Sequence, residues 1–261
     1  MSNEIVLITG ASSGIGWELA KLFAADGSEL ILVARRLDRL EELSKQLQEQ
    51  HGTTSTLFQM DLSVPGSAEE LFSKVQDTGK QVDVLVNNAG FGQIGRFEEI
   101  SLDRQTSMCE LNIVTLTQLT HLFLNQMVPR DSGAILNIGS TASFQPGPNA
   151  AVYYATKAYV LSFSEALHAE LWGKNISVTC LCPGPTKTGF GDDSDMGSLP
   201  MFKNNIMEVE SVAKAGYRGL RKKKRLIVPG IFNNLLAFSN RFAARPIPLW
   251  IVKRMQTLPK S

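Results

Sequence analysis

Short apolar runs alternate along the chain with longer stretches of helical spacing. Residues 5–9 are apolar and largely β-branched and stop at Gly10, which predicts a strand. Residues 15–26 follow with Ile15, Leu19, Leu22 and Phe23 at helical intervals. Residues 29–34 are apolar again, and the charged stretch 37–50 carries leucines at 37, 40, 43 and 47, as a helix with one buried stripe would. The same reading predicts strands over 53–60, 82–86, 134–138, 176–181 and 225–228. It predicts helices over 65–78 with Pro65 near the start, over 101–128 ended by Pro129, and over 150–173 with Gly173 as C-cap.

Near-continuous apolar strands separated by helices imply a parallel sheet buried on both faces. Right-handed crossovers then give an α/β fold, a doubly wound, mostly parallel seven-stranded sheet of Rossmann type. Ligands in such sheets sit at the carboxyl ends of the strands, near the point where strand order reverses. No repeat of fixed period and no low-complexity linker divides the sequence. Residues 1–261 therefore read as one domain, with 186–205 as a lid loop over substrate and 231–261 as an amphipathic C-terminal extension.

Composition narrows the partners. A net charge of +1 provides no global field for nucleic acid. No run reaches the roughly 18 apolar residues of a membrane span, and Glu4 interrupts any signal-peptide pattern. The three cysteines, Cys109, Cys180 and Cys182, have no metal-ligand spacing. With two of them in a predicted buried strand, they read as reduced thiols packed as small hydrophobes in a cytoplasmic protein. His51, His121 and His168 are scattered, and surface or helix-packing roles suit them better than ligation, so no metal is expected.

The segment after the first strand is Thr9–Gly10–Ala11–Ser12–Ser13–Gly14–Ile15–Gly16. Its glycines permit a sharp turn and close approach of backbone to a pyrophosphate. The helix behind it offers unpaired N–H groups and a positive dipole end. Its Gly-x-x-x-Gly-x-Gly spacing differs from the general dinucleotide fingerprint. At the end of the second strand, where NAD binders place an acid, stand Arg35 and Arg36, and the next carboxylate is Asp38. Two guanidinium groups there suit a 2′-phosphate through forked, charge-assisted hydrogen bonds, so NADP(H) is the expected cofactor.

Taken together, these residues resemble the short-chain dehydrogenase/reductase family, classical type, over about residues 4–230. The loop Thr9–Gly16 resembles its cofactor motif. Asp61–Leu62 resembles its adenine-contacting pair, and Asn87–Asn88–Ala89–Gly90 its Asn-Asn-Ala-Gly turn. Ser140 lies 13 residues before Tyr153, and Tyr153–Tyr154–Ala155–Thr156–Lys157 is similar to its Tyr-x-x-x-Lys motif. Asn112 resembles the asparagine of its catalytic tetrad, Pro183–Gly184 its turn at the nicotinamide, and Thr188 a residue at the carboxamide. The sequence departs from the pattern at Gly139, where the family often has a second serine.

The groups themselves support that chemistry. Tyr153 and Lys157 are four apart on a predicted helix and share a face. None of the other three tyrosines has a lysine four residues on. A neighbouring ammonium is expected to lower the phenol's pKa towards neutrality, making Tyr153 a general acid or base. Ser140, at the end of the fifth strand, can hold a carbonyl oxygen where negative charge develops, with Ser143 as its nearest rival. Asn112 alone reads as an exposed polar helix position. The resemblance implies instead a local backbone adjustment there, whose carbonyl holds a water joined to Lys157.

The expected activity is hydride transfer between NADP(H) and a small carbonyl or alcohol substrate. A 3-oxoacyl-thioester reductase and a non-catalytic NADP(H)-sensing protein are the alternatives, and the intact Ser140, Tyr153 and Lys157 argue against the second. Phe91, Phe144 and Phe190 flank the motifs and can supply apolar walls. The basic run 221–225 reads as a solvated turn before a strand. The extension mixes Leu235, Leu236, Phe238, Phe242, Trp250, Ile251 and Val252 with Arg241, Arg245, Lys253 and Arg254. It can pack on a partner subunit, cover the cleft or rest on a membrane surface. A subunit contact is the first reading, since the resemblance implies a homodimer or homotetramer.

Overall fold

The computed structural model describes residues 4–188, 206–240, 242, 244 and 246–255. Seven strands form one sheet, every neighbouring pair parallel, in the order β3-β2-β1-β4-β5-β6-β7. They are β1 (Ile5–Thr9), β2 (Glu29–Ala34), β3 (Ser55–Gln59), β4 (Val84–Asn87), β5 (Gly133–Ile138), β6 (Ile176–Leu181) and β7 (Leu226–Ile227). The order reverses between β1 and β4, so the carboxyl ends of these two strands flank the switch point.

Successive side chains on a strand point to opposite faces, and here both faces are covered. Val6, Ile8, Leu30, Leu32, Leu136 and Leu181 pack in one core with residues of α1 (Gly14–Ala25), α2 (Leu37–His51) and α7 (Val209–Arg221). Leu7, Ile31, Val33, Leu85, Ile135 and Val178 pack on the other side against α3 (Ser67–Asp77) and α5 (Leu116–Met127). The leucines of α2 at 40, 43 and 47 are wholly buried, as its charged, leucine-striped sequence predicts.

Three expectations about elements are corrected. The helix expected over 101–128 is α4 (Leu102–Cys109), a π-type turn over Glu110–Thr115, and then α5. α6 (Ala151–Glu170) stops short of Gly173, and its C-cap is Leu171. Cys182 lies one residue beyond β6 rather than in it. Beyond β7 the extension forms α8 (Ile231–Ser239) and α9 (Pro246–Met255). Most of the expected lid, residues 189–205, lies outside the described residues, and with it Phe190. Among the described residues no helix is long and apolar enough to cross a membrane, and no group of His, Cys, Asp and Glu could hold a metal ion.

As expected, the basic run 221–225 is exposed and forms the turn before β7, with its two arginines tied down at the amino-terminal end of the sheet. Arg221 makes a forked pair with Glu4 at 2.7 and 2.9 Å and lies against Phe23 and Tyr217. Arg225 pairs with Glu165.

Candidate active site

A cleft of about 360 Å³ runs along the carboxyl ends of the strands. The turn after β1 opens it. Gly10 has φ +66°, and a Cβ there would stand 2.8 Å from Asn88 Nδ2, so a side chain would be strained in backbone and in space. Asn88 clamps this turn, donating from Nδ2 to the carbonyls of Thr9 at 2.9 Å and Gly10 at 3.0 Å. The Thr9 hydroxyl accepts from the amides of Asn88 and Ala89, both at 3.0 Å, and donates to Val86 O. Sequence reasoning included Thr9 in the cofactor motif but gave it no role of its own. Its signal is a hydroxyl at the carboxyl end of an otherwise apolar strand, one residue before the first loop glycine.

α1 begins with Ser13 as N-cap, without a side-chain cap bond and without an acid in its first turn. Its leading N–H groups therefore face the cleft uncapped, which suits an anion. Arg35 and Arg36 follow β2 and line the same cleft, and Arg36 Nη2 donates to Ser12 Oγ at 3.3 Å. Beside them, burial pushes the Asp61 carboxyl up. The Ser63 hydroxyl and amide and the charge of Arg35 outweigh this and hold it below its ordinary value. Of the expected dinucleotide-contacting residues, Gly10, Ser12, Ser13, Gly14, Ile15, Arg35, Arg36, Asp61, Leu62, Asn88, Ala89, Gly90, Tyr153, Lys157, Pro183, Gly184 and Thr188 line the cleft. Gly16 lies behind the loop, where a Cβ would meet Asn88 Nδ2 at 2.5 Å; its part is to let strand and helix approach.

The chemistry-bearing side chains share one wall. The buried face of α6 carries Tyr153, Thr156, Lys157, Val160 and Ser164, at the i, i+3, i+4 spacing of a helix stripe. Tyr153 and Lys157 are each 6% exposed. The Ser140 side chain hydrogen-bonds Tyr153, and Lys157 Nζ lies 6.0 Å from the Tyr153 ring centroid and donates to Ile138 O at 2.8 Å. The expected lowering of the phenol's pKa is not found. Burial pushes Tyr153 up to about 12, against the opposing Ser140 hydrogen bond. Burial also brings Lys157 down to about 8, although any negative charge on Cys180 and Cys182 would favour its ammonium.

Ser143 does not face the cleft. Its hydroxyl donates to Lys157 O at 2.7 Å and accepts from Ser140 N at 3.3 Å, so it ties the Ser140 turn to α6. Asn112 corrects the reading of an exposed helix position. It is 1% exposed, within the π-type turn. It accepts from Phe91 N at 3.2 Å and donates to Phe91 O at 2.9 Å and Thr156 Oγ1 at 3.1 Å. A Cβ on Gly90 would lie 3.0 Å from Asn112 Oδ1 and 3.4 Å from Lys157 Nζ, so Asn112 and Lys157 converge on one glycine. Thr156, likewise given no role of its own, donates to Tyr153 O at 2.8 Å and joins the asparagine to the tyrosine helix. Phe91 lines the cleft under the Arg104 guanidinium, 4.1 Å from its ring centroid. Phe144 instead packs in the core with Leu116 and Val160.

A family model described as short chain dehydrogenase matches residues 4–197. Sulfoacetaldehyde reductase 2 of Chromohalobacter salexigens is 34% identical over 219 residues, covering 81% of this chain and 86% of its own. The mouse dehydrogenase/reductase SDR family member 7B is 31% identical over 262 residues, covering 91% of this chain and 81% of its own. A solved short-chain dehydrogenase from Sphingobium yanoikuyae, in complex with NADPH, superposes with a TM-score of 0.82 at 30% identity, covering 99% of this chain and 100% of its own.

Proposed function

The chain belongs to the short-chain dehydrogenase family of oxidoreductases, and from that premise we propose that it is an NADP(H)-dependent enzyme reducing a small carbonyl substrate, with Tyr153 as the acid. The observation that carries this reading is the convergence of Ser140, Tyr153 and Lys157 on one wall of the cleft that the glycine turn opens. When bound, the nicotinamide supplies the hydride, or accepts it in the reverse direction.

The chain's own groups fit such a cofactor. The uncapped start of α1 receives a pyrophosphate. Arg35 and Arg36 hold a 2′-phosphate, with Arg36 steadied by Ser12. Asp61 and Leu62 flank the adenine, and Pro183, Gly184 and Thr188 border the nicotinamide end. The NADPH bound to the Sphingobium relative supports the same choice of cofactor.

In the reaction, the Ser140 hydroxyl and the Tyr153 phenol hold the carbonyl oxygen. Tyr153 passes its proton to that oxygen as negative charge develops there. Burial keeps the phenol protonated far above neutral pH, the state proton donation needs. The Lys157 ammonium steadies the phenolate that remains. Asn112, within the π-type turn and converging with Lys157 on Gly90, lies on the return path of the proton through Lys157.

The test is NADPH and NADH oxidation, followed by nicotinamide absorbance, against a panel of ketones, diketones, aldehydes, steroids, quinones and acyl thioesters. Turnover with NADPH is expected, and its pattern separates a simple carbonyl reductase from a thioester reductase. Tight NADPH binding without turnover across the panel would favour a sensing protein.

A further inference from the structure

The C-terminal helices turn their apolar faces outward. In α8 the inward positions are Asn233 and Ala237, four residues apart and both buried. The opposite stripe, Ile231, Leu235 and Phe238, is 85%, 61% and 57% exposed, and Phe242 continues it at 76%. A surface helix of a globular protein ordinarily does the reverse. α9 packs inward through Val252, which joins Tyr153 and Tyr154 in one apolar cluster. Its outer side presents Trp250, 55% exposed, with the Arg254 guanidinium 3.9 Å from the ring centroid.

Charge separates along the sequence in the same place. Residues 231–261 contain Arg241, Arg245, Lys253, Arg254 and Lys260 and no Asp or Glu, leaving 21 Lys and Arg against 25 Asp and Glu in residues 1–230. An apolar stripe, an exposed tryptophan beside an arginine, and exclusively positive charge form one pattern. It matches the headgroup level of an anionic bilayer, with apolar side chains reaching the acyl boundary and basic ones meeting the lipid charge.

We propose that α8 and α9 dock the protein on an anionic lipid bilayer. A second copy fits this face less well. A two-fold contact sets the patch against itself, so Lys253 and Arg254 of one copy would approach the like charges of the other. The docking face also adjoins the site. Asn240 Nδ2 donates to Gln145 Oε1 at 2.6 Å, just past the Ser140 turn, so a docked molecule holds that end of the cleft near the bilayer. Docking on a bilayer is independent of catalysis and is read by binding alone.

The experiment is flotation of the full chain with vesicles of phosphatidylcholine containing phosphatidylglycerol, beside vesicles of phosphatidylcholine alone. Binding to the anionic vesicles and release by raised salt are expected. The double substitution Leu235→Glu, Phe238→Glu should weaken binding at least tenfold by removing exposed apolar contacts. Lys253→Gln with Arg254→Gln should weaken it by about tenfold or more through charge alone. An unchanged thermal unfolding curve for either pair keeps the comparison clean. Failure to float with anionic vesicles, or equal binding to both vesicle types, overturns the proposal. So does a solution dimer that Leu235→Glu dissociates and that does not float, since a second copy then covers the face.

Discussion

Gly139→Ala should destabilise the protein, and removal of one sulfur atom should cancel the effect. A Cβ at Gly139 would stand 2.8 Å from Cys182 Sγ, 3.1 Å from Cys180 Sγ and 3.4 Å from Ser143 Oγ. Heavy atoms in good contact sit about 3.5–4.0 Å apart, so the nearer sulfur must retreat by roughly 0.7 Å or more. It has little room, because both cysteines are wholly buried, 3.6 Å from each other. Two effects oppose. Gly139 is not among the glycines with positive φ, so alanine also restricts the unfolded chain, a gain of about 0.4–1 kcal/mol. Overpacking a tight core costs about 1–3 kcal/mol. The second wins, and a net loss of about 1–2 kcal/mol is expected. In a Cys182→Ala background the nearer sulfur is gone, and Cys180 Sγ, 3.1 Å from the added Cβ, can shift into the space it leaves. There Gly139→Ala should be neutral or mildly stabilising, giving a coupling of about 1–3 kcal/mol in the double-mutant cycle. Urea unfolding of the four proteins measures it, provided the m-value is unchanged. Full stability of Gly139→Ala alone, or the same loss in both backgrounds, refutes the reasoning.

Arg35→Asp should move the ratio of kcat/KM for NADPH over NADH by about 10- to 100-fold towards NADH. A charge-assisted hydrogen bond is worth about 1.5–3 kcal/mol, and the new carboxylate would repel a 2′-phosphate. An unchanged ratio would remove Arg35 from the phosphate site. Tyr153→Phe should lower kcat by about 10²- to 10⁴-fold while the NADPH Kd, read by fluorescence, stays nearly constant; near-normal turnover would mean another group is the acid. Burial brings Lys157 down to about 8, so its ammonium is present below that pH and lost above it. The reduction rate should therefore fall as pH rises through about 8. Tyr153, pushed up to about 12, remains protonated there and cannot cause the limb. Lys157→Arg, whose guanidinium stays charged, should abolish the limb at whatever rate remains; a wild-type rate flat well beyond pH 8 contradicts the assignment.

The sheet was legible because its central strands bury both faces. An apolar run such as residues 176–181 then has few readings, and its bounds match β6. The break in the helix over 101–128 was hidden for the opposite reason. Its inward positions near the break are Asn112 and Thr115, polar residues that hydrophobic periodicity assigns to solvent. Asn112 is inside because it satisfies both the amide and the carbonyl of Phe91, a partnership 21 residues away that local patterning does not encode. Gly139 read as a mild departure from a family pattern; what crowds it, the sulfur atoms of Cys180 in β6 and Cys182 just beyond it, is a tertiary fact. In α8 and α9 the amphipathic segregation was plain. Its orientation was not, because a periodicity records that two faces differ and not which one meets the protein.

The tyrosine–lysine pair shows where a spacing argument stops. Four residues on a helix put Lys157 near Tyr153, and an ammonium alone lowers a phenol's pKa. Lys157 Nζ lies 6.0 Å from the ring centroid; for two unit charges at about that separation, with an effective dielectric near 20, the attraction is about 3 kcal/mol. Full burial can oppose ionisation by about 4–7 kcal/mol, and it acts on both groups: upward on the phenol, downward on the lysine. Burial is therefore the larger effect, and the pair rests as neutral phenol beside a weakened ammonium. That arrangement is ready to give a proton and poorly placed to take one. Alcohol oxidation would first require Tyr153 to lose its proton in this buried place. If the reading is right, the forward and reverse reactions should differ in pH dependence, oxidation gaining with pH over the range where reduction loses Lys157.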